Sequence, residues 1–198
     1  MPIAINGSGT VTGISVGGLP DGIVDTDMLA ANAVTAAKAS GSAKGITMAD
    51  QWRMTSQATV SSNTDITANL ERNDTSSTLV GSGMTHSSGI FSFPETGLYW
   101  ISAGTRGFGN GGARSYAGIN IKRTTDNGTN WYSAGDGYDS ISTDGYYFNA
   151  VAQSFFDVTD TSTHKLKFVL DPPSASVKFD GNSDYNSTYF TFLRLGDT

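Results

Sequence analysis

The sequence contains no cysteine, so neither disulfides nor thiolate metal sites can stabilise it. Packing, self-association or bound ions must do so. Charge is also scarce: Asp, Glu, Lys and Arg make up 15% of the residues, against a usual share of about 25%. Glutamate occurs only at Glu71 and Glu95. No apolar run approaches the roughly 20 residues of a membrane helix, which argues against membrane insertion. The start, Met1-Pro2-Ile3-Ala4, lacks the basic end and apolar run of a secretion signal. The most informative absence is local. Residues 1–51 hold no Phe, Trp or Tyr, and every aromatic residue lies from Trp52 onward. This shift divides the chain into an N-terminal attachment or shaft segment, 1–51, and a head, 52–198.

The charge that is present is mostly acidic, with a net −6 and a sequence pI near 4.6. That balance argues against nucleic acid or an anionic membrane as the main partner. The 24 glycines suggest many turns and an all-β core. The first segment is rich in Gly, Ala, Ser and Thr and cannot offset its own ordering entropy by burial. It is either disordered or ordered against partner chains. Ile3, Ile5, Val11, Ile14 and Val16 are β-branched and set among Gly and Thr, which favours short strands with tight turns. Val24 and Val34 hold matching places in a degenerate ten-residue repeat, Gly22–Asn32 and Ala33–Ser40. A short Ala-rich helix capped by Asp25 or Thr26 is the competing reading.

The head is organised around Gly89-Ile90-Phe91-Ser92-Phe93-Pro94-Glu95-Thr96-Gly97-Leu98-Tyr99-Trp100-Ile101. Phe91 and Phe93 alternate with Ser92, the period of a half-buried strand. Pro94 ends that strand because it cannot donate to a ladder, and Gly97 is free to take a positive φ in the turn. Further strands are predicted at Thr59-Val60, Ile66–Leu70, Thr78–Val80, Tyr116–Lys122, Lys165–Leu170 and Tyr189–Leu195. Tyr146–Phe156 is the longest candidate. Asp126-Asn127-Gly128 and Asp144-Gly145 are hairpin turns. Gly107–Gly112 reads as a flexible loop, with neither the Lys-Ser/Thr nor the following helix of a phosphate cradle. Eight or more strands in the head fit a β-sandwich.

Two resemblances sharpen this reading. The run Gly89-Ile90-Phe91-x-Phe93-Pro94-x-x-Gly97-Leu98-Tyr99, with the aromatic closing strand Tyr189-Phe190-Thr191-Phe192-Leu193, resembles the C1q/tumour-necrosis-factor-like jelly roll. That resemblance implies a C-terminal jelly-roll sandwich, a homotrimer at the end of a stalk, acting as a recognition head. The run Met1-Pro2-Ile3-x-Ile5-Asn6-Gly7-x-Gly9-Thr10-Val11-Thr12-Gly13-Ile14 resembles the start of bacteriophage tail-fibre and appendage proteins, as do Gly17–Gly22 and Asn32–Lys38. It implies a virion component whose N-terminal part docks on other virion proteins, through Ile3, Ile5, Ile14, Val24 and Val34, while the head faces outward. The stalk is no collagen, since no strict Gly-x-y period is present.

Catalysis finds little support. His86 and His164 lie in Ser/Thr-rich stretches read as loops, and no Gly-x-Ser-x-Gly elbow is present. Glycosidase-type carboxylates would come from Glu71, Glu95, Asp136, Asp139 and Asp144, but solvated loop acids are the default. The chain is therefore read as a non-enzyme. No cofactor is expected, with calcium as the one candidate: Asp180, Asn182 and Asp184 place oxygens at alternate positions, against the alternative of Asx-turn chemistry. Trp131, Tyr132, Tyr138, Tyr146 and Tyr147 are the binding candidates, because aromatic faces stack on sugar rings and flat apolar surfaces. The function expected is a virion structural protein, a tail fibre or similar appendage, whose trimeric head binds a host surface glycan or protein. The alternatives are an architectural decoration protein, a small polysaccharide depolymerase and an extracellular C1q-like lectin.

Overall fold

The computed structural model describes residues 45–76 and 79–198 together with Val34 and Lys38. Ile3, Ile5, Ile14, Val24, the ten-residue repeat and Thr78 lie outside the described residues; Val34 is exposed. The described part has thirteen strands and no helix. They are β1 (Ala49–Met54), β2 (Ala58–Val60), β3 (Thr64–Asp65), β4 (Leu70–Arg72), β5 (Thr85–Ser87), β6 (Ile90–Ser92) and β7 (Gly97–Gly109). After them come β8 (Arg114–Thr124), β9 (Tyr132–Ile141), β10 (Tyr147–Val158), β11 (Lys165–Asp171), β12 (Val177–Phe179) and β13 (Tyr189–Gly196). β1 passes through position 52, so a strand of the head begins three residues before the first aromatic residue.

The strands form two antiparallel sheets. One runs β2-β12-β7-β13-β1-β4, with β10 paired along the other side of β7. The second runs β5-β6-β11-β8-β9, with β3 also on β11. First and last strands are therefore neighbours, and β13 sits between β1 and β7. The order is non-sequential, as in a jelly roll. Alternation sends one face of each strand inward. On β10 the pattern is nearly unbroken: Phe148, Ala150, Ala152, Phe156 and Val158 are buried, while Tyr147, Asn149, Val151, Phe155 and Asp157 are exposed.

The core is aromatic at its centre. Phe168 of β11 stacks on Phe190 of β13, centroids 4.0 Å apart and planes at 13°. Phe91 of β6 meets Phe168 edge-on at 5.5 Å and Phe192 at 5.3 Å. Phe93 packs on Tyr99 at 4.7 Å, and the Tyr99 hydroxyl donates to the Glu95 carbonyl at 2.8 Å across the predicted turn. Gly97 takes φ 133° there, and a Cβ would lie 2.4 Å from the Gly196 carbonyl oxygen. A polar cluster closes one end. Asp50 accepts from Trp52 Nε1 and Arg72 Nε, both at 2.9 Å, and from the Met84 amide at 2.7 Å.

Several expectations need correction. β7, with 13 residues, is longer than β10, with 12. It runs through Gly107 and Gly109, so the loop there is shorter than predicted. A Cβ on Gly107 would fall 2.1 Å from the Lys178 carbonyl oxygen, so the glycine permits β12 to approach. Of the predicted strand Ile66–Leu70 only Leu70 is in a strand, as the first residue of β4, because Asn69 turns at φ 55° between β3 and β4. Of the two histidines read as loop residues, His86 lies in a strand, and His164 lies in the loop before β11 but is not exposed. His86 belongs to β5 and meets Trp52 edge-on at 4.8 Å, and burial lowers its pKa. His164 is buried and stacks on Phe156 at 5.4 Å.

Replacing Phe168 by Ala is expected to lower the unfolding free energy by about 3–5 kcal/mol, measured by urea denaturation at fixed protein concentration. A second outcome follows from Tyr99. Burial, with the Glu95 charge adding to it, pushes the phenol from 10.0 up to about 12. A phenol whose pKa is raised by folding stabilises fully below its unfolded value, and that stability is lost as pH rises. Stability is therefore expected to fall between pH 10 and about 12, and Tyr99→Phe should reduce that slope in a pH series of melting curves.

Candidate functional site

Strand register builds the site on the outer face of the larger sheet. Phe155, Trp100, Leu193 and Ala49 stand in one row across β10, β7, β13 and β1. Gln153, Ser102, Thr191 and Gln51 make the next, where Gln51 Nε2 donates to Thr191 Oγ1 at 2.8 Å. The third row is Val151, Gly104, Tyr189 and Arg53. Phe155 is 63% exposed and Val151 52%. Leaving such side chains in water forgoes roughly 1.5–3 kcal/mol each. The face therefore carries apolar rows separated by one polar row.

Two hollows mark this face. One, about 190 Å³, is lined by Trp100, Leu193, Leu79 and Arg72 among others. The second, about 210 Å³, lies against Arg106, Asn149, Val151, Asn186, Ser187 and Tyr189. In its wall Asn186 Oδ1 and Ser187 Oγ are buried without a hydrogen-bond partner in the chain. Buried oxygens left so cost about 1–3 kcal/mol each. Arg53, at the end of the third row, is instead covered by its own chain. It donates to Glu71 at 2.7 Å, Thr75 at 2.8 Å and Asp74 at 2.9 Å.

The structure disperses the aromatic candidates. Tyr147 lies on the larger sheet, edge-on to Phe108 at 5.5 Å and beneath Arg106 at 5.3 Å. Tyr146 is exposed in the turn before it, where Gly145 takes φ 74°. Tyr132 is exposed on β9, and Trp131 just before β9 lies under Lys167 Nζ at 4.8 Å. Tyr138, also on β9, joins Tyr116 and Asp171 in a separate pocket on the smaller sheet. Tyr116 and Asp171 were missed because their neighbours in space come from three different strands.

The oxygen-rich loop has other partners. Asp180 accepts from Arg106 Nε at 3.0 Å and Gln57 Nε2 at 2.9 Å. Asn182 Oδ1 accepts from the Asp184 amide at 2.7 Å and the Tyr185 amide at 3.2 Å, an Asx turn. Calcium there would have to displace Arg106 from Asp180. Among the described residues no three His, Asp or Glu gather as a metal site. Three of the carboxylates weighed for sugar cleavage have structural partners. Asp139 accepts from the Ser140 and Asn149 amides, Asp144 from the Gly111 amide, and Glu71 pairs with Arg53.

This architecture is similar to solved structures at low identity. Murine APRIL at pH 5.0 superposes with a TM-score of 0.55 at 11% identity, covering 74% of this chain and 98% of that one. Eiger TNF from S. frugiperda superposes with a TM-score of 0.57 at 10% identity, covering 76% of this chain and 94% of the other. The described head is thus a tumour-necrosis-factor-like jelly roll. No protein-family profile and no curated protein matches the chain.

Replacing Asp180 by Ala should lower stability by about 1–2 kcal/mol, since it strands Gln57 and Arg106, the latter partly open to solvent. A thermal-shift comparison with Asp184→Ala, whose backbone rather than side chain forms the turn contacts, checks it: the Asp184 variant should stay near wild type.

Proposed function

We propose that the chain is a non-enzymatic virion appendage protein whose head is a homotrimer and binds a ligand on the host surface. The observation that carries the trimer is the apolar pair of rows, Phe155-Trp100-Leu193 and Val151-Tyr189, on an outer sheet face. An exposed patch of that kind marks a contact surface. A second copy would bury it. Closed symmetry would limit the assembly. The jelly-roll fold agrees with the trimeric recognition head that the central sequence motif implies. The non-enzymatic reading is supported by the packing of both histidines against aromatic rings and by the backbone amides bonded to Asp139 and Asp144. The phage reading rests on the N-terminal resemblance, which assigns attachment to Ile3, Ile5, Ile14, Val24 and Val34. Three weak sites on one stalk would raise avidity without any strong single site.

Light scattering tests the assembly. The expected mass is three times the 20.7 kDa chain, about 62 kDa, and Phe155→Asp is expected to reduce it to that of one chain while the far-UV spectrum stays β-rich. A wild-type mass of one chain, or an unaltered mass for the variant, overturns the proposed interface. Competition by the purified protein against infection tests the ligand-binding role, since a mere decoration protein would not compete.

A further inference from the structure

A second site stands on the smaller sheet, facing away from the core. Asp171 of β11 pairs in register with Gly118 of β8, which in turn faces Tyr138 of β9. The three positions form one row across the sheet. Gly118 has no side chain, and β9 closes over it with both backbone and ring: a Cβ there would lie 2.0 Å from the Gly137 carbonyl oxygen and 2.6 Å from Tyr138 Cδ1. The ring therefore reaches along the row, and its hydroxyl donates to Asp171 Oδ2 at 2.8 Å. Tyr116 stands edge-on to it, with centroids 5.5 Å apart and planes at 87°. Tyr138 remains 45% exposed and Tyr116 38%, whereas Asp171 is only 7% exposed. Together they line a hollow of about 290 Å³.

Each part has a chemical consequence. Tyr138 is pinned at its tip by Asp171, so a ligand meeting the ring does not have to order it first. The two perpendicular rings make an aromatic floor and wall. Aromatic faces are electron-rich and attract the polarised C–H bonds on one face of a pyranose ring. A carboxylate has about four acceptor sites in all, more than the single bond from Tyr138 uses. Asp171 thus offers hydroxyl groups an acceptor at the rim, and low exposure strengthens such a bond. Burial and the bond to Asp171 push the Tyr138 phenol up to about 12, with Asp136 adding to the effect. It stays a donor throughout the neutral range. The negative field of Asp136 and Asp171 disfavours carboxylated sugars. The volume falls just below the usual span of small-molecule sites, roughly 300–1,000 Å³, which suits one sugar ring better than a long chain.

We infer that the Tyr116–Tyr138–Asp171 pocket binds a neutral pyranose of a surface glycan, stacked on Tyr138 and hydrogen-bonded through its hydroxyls to Asp171. This rests on the reading of the head as a recognition module and names its ligand class. It places the site on the sheet opposite the proposed subunit interface, so each copy would carry its own pocket outward.

The test is titration of the full chain with the methyl glycosides of glucose, galactose and N-acetylglucosamine, with the methyl glycoside of glucuronic acid as the charged comparison. Saturation-transfer NMR and intrinsic fluorescence are the readouts. At least one neutral glycoside should bind with a dissociation constant on the order of 1 mM. Tyr138→Ala should weaken it about tenfold or more, and Tyr138→Phe, which keeps the ring and loses its tie to Asp171, only a few-fold. The β-rich far-UV spectrum of each variant establishes that it is folded. If Tyr138→Ala does not fold, Tyr116→Ala, which removes the wall and leaves the Tyr138–Asp171 bond, should weaken binding in its place. A folded wild type that binds none of the neutral glycosides overturns the inference. So does binding that survives Tyr138→Ala, or binding of the glucuronide as tight as that of the neutral sugars. A trimer that binds no sugar leaves the proposed assembly standing, whereas a monomer that binds one overturns the assembly and not the pocket.

Discussion

The head depends on one contact, the stack of Phe168 on Phe190. These rings belong to different sheets, β11 and β13, and their near-parallel overlap fixes how far apart the sheets lie. Phe91 and Phe192 pack around the same point, so four phenylalanines from three strands share a single centre. Each strand has only two faces, and spending one on this centre commits the other to solvent or to a partner. The arrangement also explains a charge content as low as this. With no disulfide to close loops, burial of rings must supply most of the stability. Charges are then left for edges, such as Asp50 with Arg72 and Arg53 with Glu71.

The same alternation creates both candidate surfaces. Phe156 and Phe148 point inward on β10, which forces Phe155, Val151 and Tyr147 outward. A one-residue shift of register would exchange the two sets. The apolar outer rows therefore cannot be explained as spare core. Their polar middle row, with Gln51 bonded to Thr191, gives the face a pattern that a partner must match, and this favours a specific contact over general stickiness. The opposite sheet presents mostly polar residues outward, and there the aromatic pair of Tyr116 and Tyr138 is local.

Much of this fold was legible from short-range pattern. Phe91-x-Phe93-Pro94, the turn at Gly97 and the closing strand from Tyr189 each carry their own signal, in alternation or in a residue with restricted backbone. So does the Asp126-Asn127-Gly128 turn, where Asn127 and Gly128 have φ 56° and 89° and amides near Asp126 hold its carboxyl down at about 2. β1 was harder to see. Its first residues, Ala49, Asp50 and Gln51, carry no aromatic group, and Asp50 is buried only because Trp52, Arg72 and the Met84 amide converge on it from elsewhere in the chain. Trp131, Tyr132, Tyr138, Tyr146 and Tyr147 were picked by closeness in sequence. Alternation and sheet membership then separated them, because β9 and β10 belong to different sheets.

Glycine within strands was the least legible signal, and it bears most on the sites. A glycine inside a strand weakens it unless something takes the place of the missing side chain. At Gly104 the occupant is the ring of Tyr189, whose Cε1 lies 2.6 Å from where a Cβ would be, and at Gly118 it is the Gly137 carbonyl oxygen at 2.0 Å together with the Tyr138 ring at 2.6 Å. In both cases a tyrosine from the neighbouring strand lies over the glycine, the aromatic rescue that also steadies strands in designed sheets. The consequence differs with the surroundings. Over Gly104 the ring joins Val151 and a hollow with two unpartnered oxygens, a surface suited to a second protein chain. Over Gly118 it meets a buried carboxylate and a second ring in a hollow of its own, a surface suited to a small polar ring. The two glycines thus leave two differently shaped hollows beside a tyrosine, and the chemistry at the end of each tyrosine sets their difference.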